Sequence, residues 1–284
     1  IGVVGSGQMG NGISQVAACS GFNVTMVDIN EQFLERGIGT IRNSLGRRVS
    51  KQKMSQDDAD SAISLITTST ALGGLAECDL VVEAIPEVPE LKFSTFRDLD
   101  EICKPTAILA SNTSSISITR IAAQTSRPAQ VIGMHFMNPV PIMKLVELVR
   151  GLATSEETFA TVNSTAEALG RTTVVSTDFP GFIVNRVLMP MLNEACYALH
   201  EGIASVRDID TTMKLGTNQP MGPLELADFI GLDTVLAILN VMHEGLGEKY
   251  RPSPLLQQYV DAGFLGKKVG KGFYDYDEKR KIIL

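Results

Sequence analysis

Histidine is the side chain best suited to acid–base chemistry near neutral pH, and the sequence contains three histidines. One of them, His135, ends an apolar run typical of a strand, and a second such run begins a few residues later. The connection is too short for a crossover helix and contains two prolines, so the two strands are predicted to pair antiparallel. A pair folded about Pro141 places His135 opposite Glu147.

A histidine beside a glutamate can act as a general base. A carboxylate bonded to one imidazole nitrogen fixes the tautomer and favours the charged ring, while the other nitrogen stays available for proton transfer. The competing interpretation is a buried histidine that a structural glutamate satisfies. The position of His135 at a strand end favours the general-base interpretation, because ligands of open α/β sheets bind outside the carboxyl ends of the strands.

Residues 5–10 form a glycine-rich loop with the pattern G-x-G-x-x-G, directly after the first strand-like run and at the start of a helical pattern. In this context Gly5 permits a tight turn, Gly7 lets a pyrophosphate approach the backbone, and Gly10 lets the helix pack on the strand. The helix N-terminus adds amide donors and a positive dipole. The loop therefore predicts a dinucleotide site.

An acidic residue follows the loop at the expected distance. The second strand-like run ends at Asp28, 18 residues after Gly10, where a carboxylate can bind the adenosine ribose diol. The 2′-phosphate of NADP would be repelled there, so NAD is the predicted cofactor. The alternative interpretation is a glycine-rich turn and an unrelated strand-end aspartate.

Three further features of the sequence could serve a ligand. The polar segment 111–115 follows another strand end, although one of its residues could instead cap the helix predicted near 116–123. Asn185 lies in an otherwise apolar helical stretch and is expected to face a cleft between domains. A basic region, which suits either a polyanionic ligand or a solvated helix face, comprises Arg36, Arg42, Arg47, Arg48, Lys51 and Lys53.

The elements that position these residues form two domains. Strand-like runs alternate with helical patterns through residues 1–179, which predicts a Rossmann-type, doubly wound α/β domain with a mostly parallel sheet. Beyond Pro180 the apolar residues recur at helical spacing and no further strand is predicted, so residues 180–284 are expected to form an all-α domain. The eight predicted strands are 1–4, 24–28, 64–68, 80–84, 107–110, 131–135, 145–149 and 173–176.

Composition excludes several other classes of protein. The chain has 284 residues, 44% of them hydrophobic, and a net charge of −7, which disfavours nucleic-acid binding. Charged residues interrupt its most apolar regions, so no membrane span is predicted. Its four cysteines show no metal-ligand or disulfide-framework spacing, so no metal site is predicted and a reducing compartment is expected.

These residues together resemble the 3-hydroxyacyl-CoA dehydrogenase family, in particular its short-chain 3-hydroxybutyryl-CoA type. The resemblance extends over essentially the whole chain. It implies a homodimeric, two-domain enzyme that oxidises (S)-3-hydroxyacyl-CoA to 3-oxoacyl-CoA with NAD, the helical domain supplying substrate and dimer contacts. It rests on GSGQMG at 5–10, SNTSS at 111–115, GMHFMNPVP at 133–141, DFPGFIVNR at 178–186 and MGP at 221–223.

The resemblance also implies roles for individual residues. His135 takes the proton of the 3-hydroxyl, Glu147 orients the ring, and Ser114 and Asn185 hold the substrate's oxygens. Ser44 and Lys51 join Ser114 and Asn185 as substrate-binding residues. The cofactor-binding residues are Gly5, Gly7, Gln8, Met9, Gly10, Asp28, Glu87, Lys92, Ser114 and Asn138. Two prolines flank Glu87, where the family pattern has a more regular helix start.

The sequence also admits three rival hypotheses. A dehydrogenase of a free hydroxy acid, such as the L-gulonate type, shares the segment around His135, but the basic region favours a CoA ester. A lysine-dependent β-hydroxyacid dehydrogenase is disfavoured because Asn185 and Arg186 occupy the comparable region. A catalytically silent dinucleotide-binding protein is disfavoured by the intact polar set. The expected location is the cytoplasm of a bacterium or a mitochondrial or peroxisomal matrix.

Overall fold

A computed structural model describes residues 1–283, which form two compact units. The first unit is Ile1–Phe182 and the second begins at Ile183. In the described range no helix has both the length and the apolar composition needed to cross a membrane.

The first unit is built on an eight-stranded sheet of order β3-β2-β1-β4-β5-β6-β7-β8. Every neighbouring pair is parallel except β6 and β7, which are antiparallel. The strands are β1 (Gly2–Val4), β2 (Val24–Val27), β3 (Ile66–Ser69), β4 (Leu80–Glu83), β5 (Ile108–Ser111), β6 (Val131–Phe136), β7 (Leu145–Arg150) and β8 (Thr172–Thr177).

Helices cover both faces of this sheet. Alternate residues along each strand point to opposite faces, so Val82 joins the core under α1, α2, α3 and α6 while Val81 joins the core under α4 and α5. The helices are α1 (Gln8–Cys19), α2 (Glu31–Ser50), α3 (Gln56–Ser64), α4 (Pro89–Ile102), α5 (Ile118–Ala122) and α6 (Glu156–Ala168).

The doubly wound, mostly parallel sheet predicted from the sequence is confirmed, and so is the register of its antiparallel step. In the β6–β7 ladder His135 pairs with Glu147. The final strand, β8, runs parallel to β7 rather than reversing again, because α6 carries the chain across the sheet between them.

The second unit is helical around its own apolar core, which includes Leu192, Leu224, Val235 and Leu239. The expectation that no strand follows residue 180 is wrong in one detail, because a two-stranded antiparallel ladder closes the described chain. Its strands are two residues long, too short to show an alternating pattern. The elements are α7 (Val184–His200), α8 (Val206–Gly216), α9 (Pro223–Ile230), α10 (Leu232–Leu246), α11 (Pro254–Asp261), β9 (Asp275–Tyr276) and β10 (Ile282–Ile283).

Two buried aspartates tie the end of the chain to the helices of the second unit. Asp210 of α8 accepts hydrogen bonds from the backbone N–H groups of Leu224 and Glu225 at 2.8 and 2.9 Å, in the first turn of α9. The hydroxyl of Tyr274 donates to the same carboxylate at 2.9 Å. Asp228 of α9 accepts from the backbone of Phe273 and Tyr274, both at 2.9 Å.

We expect Asp210→Ala to lower the free energy of unfolding by about 2–4 kcal/mol, because it leaves several donors unpaired in a buried site. Urea unfolding at neutral pH, followed by far-UV circular dichroism, measures the change. Tyr274→Phe removes one donor and leaves the carboxylate on α9, so its effect is expected to be about 1 kcal/mol. Equal losses in the two variants would contradict the capping role of Asp210.

Candidate active site

A cavity of about 930 Å³ opens at the carboxyl ends of the central strands of the first unit. Its walls include the glycine-rich loop from Gly5 to Met9, Asp28 at the end of β2 and the segment from Ala84 to Pro86 after β4. The strand order changes direction between β1 and β4, and this switch point is where open α/β sheets bind ligands.

The three loop glycines are needed for different reasons. Gly5 has a φ of +98°, and a methyl group there would lie 2.7 Å from the carbonyl oxygen of Ala84. A methyl group on Gly10 would collide with the carbonyl oxygen of Gly5. A methyl group on Gly7 would have nothing within 4 Å, although Gly7 lines the cavity. The protein packing thus requires Gly5 and Gly10, whereas Gly7 leaves room for a ligand, as a dinucleotide requires.

Asp28 holds the glycine-rich loop as well as facing the cavity. Its Oδ2 accepts hydrogen bonds from the backbone N–H and hydroxyl of Ser6 at 2.7 and 2.6 Å, and Oδ1 accepts from Ile29 N–H at 2.8 Å. Oδ1 keeps a further lone pair that could accept a ribose hydroxyl. The contact with Ser6 was not predicted from the sequence, since it joins segments 22 residues apart.

The loop also contacts the segment after β6. The side-chain amide of Gln8 donates to Oδ1 of Asn138 at 3.0 Å. Met9 lines the cavity beside Gln8. Three of the predicted cofactor-binding residues therefore lie at one edge of the sheet.

Three predicted catalytic residues form a continuous hydrogen-bonded chain. Nδ1 of His135 lies 2.7 Å from Oε2 of Glu147, and its Nε2 lies 2.9 Å from Oγ of Ser114. His135 is 5% exposed and Glu147 is fully buried. The ring of Phe182 packs against the imidazole with 5.6 Å between ring centroids. This aromatic contact was not predicted from the sequence.

The hydrogen bonds determine which nitrogen of His135 carries the proton. An ionised carboxylate only accepts hydrogen bonds, so the Nδ1 beside Glu147 is the donor. In the neutral ring Nε2 is then an acceptor, and the hydroxyl of Ser114 donates to it. The acceptor nitrogen is the one that can take a proton from a substrate.

Glu87 orders the loop that carries Ser114. Its Oε1 accepts from the backbone N–H groups of Ser114 and Ser115 at 2.9 and 3.0 Å, and from the hydroxyls of Thr113 and Ser115 at 2.5 and 2.9 Å. Burial raises the pKa of this carboxyl, but the Lys92 ammonium and these hydrogen bonds outweigh it, so its pKa lies below the ordinary value. The flanking prolines do not disturb these hydrogen bonds with residues 113–115, and Pro89 is the first residue of α4.

Lys92 is only 1% exposed, which is unusual for a lysine. Its Nζ lies 2.5 Å from Oε1 of Glu83, 3.2 Å from the carbonyl oxygen of Ile85 and 3.3 Å from Oε2 of Glu87. Glu83 is fully buried and was not predicted as a site residue. Its sequence signal is a lone acid at the end of the apolar run Leu80–Glu83.

The remaining predicted residues lie on helices. Ser44 is half-buried on α2, and Lys51 is the exposed C-terminal cap of that helix. Arg36 of the basic region lines the cavity, with its guanidinium 4.7 Å from the ring centroid of Phe33. Asn185 lies in the first turn of α7, in the second unit, and is 7% exposed.

The residue that caps the N-terminus of α5 is Ser117, so capping of that helix does not explain any residue of 111–115.

Comparisons with known proteins agree in both halves of the chain. Residues 1–179 match the family model of the 3-hydroxyacyl-CoA dehydrogenase NAD-binding domain, and residues 181–276 match that of the C-terminal domain. A probable 3-hydroxybutyryl-CoA dehydrogenase of Bacillus subtilis is 56% identical over 98% of this chain and 97% of its own length. The 3-hydroxybutyryl-CoA dehydrogenase of Bradyrhizobium diazoefficiens is 54% identical over 97% of this chain and 94% of its own.

Solved structures give the same result. The crystal structure of (S)-3-hydroxybutyryl-CoA dehydrogenase from Ralstonia eutropha superposes with a TM-score of 0.95 at 48% identity, covering 98% of each chain. The family models and the relatives lead to one conclusion: the chain belongs to the 3-hydroxyacyl-CoA dehydrogenase family and is an NAD-dependent oxidoreductase of 3-hydroxyacyl-CoA.

Proposed function

We propose that this enzyme interconverts (S)-3-hydroxybutyryl-CoA and acetoacetyl-CoA, with His135 as the general base. The hydrogen-bonded chain of Ser114, His135 and Glu147 is the observation that carries the assignment. The names of the relatives from Bacillus subtilis, Bradyrhizobium diazoefficiens and Ralstonia eutropha support the four-carbon substrate.

The geometry of the His135–Glu147 pair, the proposed dyad, supports proton transfer by His135. NAD, when bound, supplies the hydride acceptor for C3 of the substrate. Nε2 of His135 takes the proton of the 3-hydroxyl, and the ring becomes an imidazolium. Glu147 stabilises that charge through its 2.7 Å contact with Nδ1, which is strong because both groups are shielded from water.

Ser114 and Asn185 are proposed to hold the substrate's oxygens. Oγ of Ser114 lies 2.9 Å from Nε2 of His135, so a substrate hydroxyl that approaches this nitrogen also approaches Ser114. Ser114 can then turn its donor to the substrate oxygen while His135 accepts the substrate's proton. Holding the oxygen in this way is positioning, not covalent catalysis.

The proposed cofactor contacts follow the edge of the cavity. The glycine-rich loop is suited to the pyrophosphate, because it leads into the N-terminus of α1, where backbone N–H groups can donate to an anion. The loop residues proposed for this contact are Gly5, Gly7, Gln8, Met9 and Gly10. Asp28 is suited to the adenosine ribose and disfavours a 2′-phosphate. Glu87, Lys92, Ser114 and Asn138 are proposed for the nicotinamide side, with Lys92 acting through the groups it binds.

Recognition of coenzyme A is proposed for the basic region. Its charges lie along α2 and the turn after it, and the CoA moiety carries phosphates that such charges attract. Ser44 and Lys51 are the residues that the family resemblance assigns to this contact. Arg36 differs from the others because it lines the dinucleotide cavity.

The proposed domain roles separate cofactor from assembly. Residues 1–179 bind NAD, and residues 180–284 contribute to substrate binding and to a homodimer. Exposed apolar side chains on the second unit support an interface there: Val187, Ile203 and Leu215 are 70, 71 and 83% exposed. A cytoplasmic location is proposed from the bacterial relatives and the four free thiols.

We expect Gly7→Ala to weaken NADH binding by about tenfold or more, because the methyl group fills the space that the pyrophosphate needs. Fluorescence titration with NADH measures the dissociation constant. Gly39→Ala is the matched control, since a methyl group there also meets nothing within 4 Å. Both variants should keep the stability of the wild type or exceed it. Unchanged NADH affinity in Gly7→Ala would exclude close approach of the cofactor to this residue.

We expect Glu87→Gln to lower the free energy of unfolding by about 0.5–1 kcal/mol at neutral pH, because it loses charge-assisted hydrogen bonds that solvent partly screens at this 39% exposed side chain. The pKa of Glu87 lies below its ordinary value of 4.5, so this stabilisation is complete above that pH and is lost as the pH falls through the folded-state pKa. Urea titrations across this range should show the two proteins converging in acid. Glu90→Gln, at an exposed position nearby, should show neither effect.

The proposed reaction is tested by following NADH oxidation with acetoacetyl-CoA, beside acetoacetate as the free-acid control. Acetoacetyl-CoA should be reduced and acetoacetate should not.

We expect His135→Ala to lower kcat at least about 100-fold, the usual loss for a general base, with NADH affinity nearly unchanged. Turnover of acetoacetate would favour a free-acid dehydrogenase, and near-normal turnover by His135→Ala would overturn the dyad.

A further inference from the structure

Glu83 is a buried carboxylate at the carboxyl end of β4, in the centre of the sheet. Its Oε1 accepts hydrogen bonds from Ile85 N–H at 2.8 Å and from Lys92 Nζ at 2.5 Å. Its Oε2 accepts from the hydroxyl of Ser111 at 2.7 Å. Glu83 has no solvent exposure, and a buried carboxylate is stable only with such hydrogen-bond partners. Because its desolvation is costly even so, a specific role is expected for it.

One arm of contacts runs from Glu83 through the neighbouring strand. Glu83 and Ser111 face each other across the parallel β4–β5 pair. Oγ of Ser111, which donates to Glu83, accepts from the backbone N–H of Thr113 at 3.2 Å. Thr113 directly precedes Ser114, so the conformation of Ser114 depends on this arm.

A second arm runs through the buried cation. The ammonium of Lys92 has three N–H donors and three acceptors in reach, on Glu83, Ile85 and Glu87. The lysine therefore sets the position of Glu87 relative to Glu83. Glu87 in turn accepts from the backbone N–H of Ser114 at 2.9 Å, so this arm also ends at Ser114.

A third contact extends the same frame to β6. The backbone N–H of Asn112 donates to the carbonyl oxygen of Glu83 at 2.8 Å. The side-chain oxygen of Asn112 accepts from the backbone N–H of Phe136 at 2.9 Å, next to His135. The segments that carry Ser114 and His135 are thus joined to the residue at the end of β4.

We propose that Glu83 is a positioning residue, which holds Ser114 against Nε2 of His135 through Ser111 and through Lys92 with Glu87. It touches neither Ser114 nor His135 and acts through the groups that do. The inference rests on the proposed role of His135 as the base. A misplacement of about 1 Å at a reacting centre can cost two orders of magnitude in rate, so the position of Ser114 against His135 matters to turnover.

The test compares Glu83→Gln with the wild type by two measurements. In steady-state kinetics with acetoacetyl-CoA, kcat should fall by about 10- to 100-fold with KM nearly unchanged. In nitrogen NMR of the NAD-free enzyme labelled in its imidazole rings, the Nε2 signal of His135 should move toward its position in Ser114→Ala. The Nδ1 signal, which reports the contact with Glu147, should move less. Only three histidines contribute, and loss of signals in His135→Gln identifies the pair.

The control for charge removal is Glu101→Gln, an exposed position on α4, which should change neither measurement. Ser111→Ala cuts only the first arm and tests the proposal if Glu83→Gln does not fold; its kcat and Nε2 signal should change in the same direction by less. Wild-type kcat and ring signals in a folded Glu83→Gln would overturn the proposal, even with reduced stability. Near-normal turnover by His135→Ala would instead overturn the proposed function, and the ring signals would still report on Glu83.

Discussion

The single antiparallel step in the sheet, between β6 and β7, is the constraint on which the site depends. Parallel neighbours need a crossover, so residues at facing positions come from distant parts of the chain. The short return after β6 instead brings Glu147 beside His135 within 12 residues, on the strands themselves. A dyad built on two bonded strands is held more rigidly than one built on loops.

The His135–Glu147 pair is one of several groups of buried ionisable side chains that lie at the carboxyl ends of the strands. Glu83 and Glu147 are both fully buried, and Lys92 is nearly so. Lys92 and Ser111 hold Glu83, and His135 lies against Glu147, as a site of low dielectric requires. Removing one partner would leave the others unpaired, which makes the arrangement both rigid and sensitive to substitution.

The second unit uses the same physical device for a structural purpose. Asp210 and Asp228 are 3 and 0% exposed and hold the start of α9 and the segment that leads into β9. Burial raises the pKa of Asp228 despite its hydrogen bonds to the backbone of Tyr274 and Phe273. Neither aspartate was singled out from the sequence, because an acid inside a helical pattern ordinarily indicates an exposed face.

The sequence by itself determined what depends on local pattern. Alternation and helical spacing identified the eight strands of the sheet and the main helices, because each element has its own period. The glycine spacing identified the dinucleotide loop, and the short connection after β6 determined the register of His135 against Glu147. The two-residue strands β9 and β10 were missed because so short a segment has no period.

Only the tertiary structure decided which groups meet across the ends of the strands. Ser114 reaches His135 across 21 residues of chain, Ser111 reaches Glu83 across 28, and Tyr274 reaches Asp228 across 46. Such contacts leave no periodic trace, because they depend on how separate elements stack and not on the order of residues within one. A buried lysine bound to two glutamates looks, in the sequence, like any charged helix face. Its contacts with Glu83 and Glu87 depend on the tertiary structure.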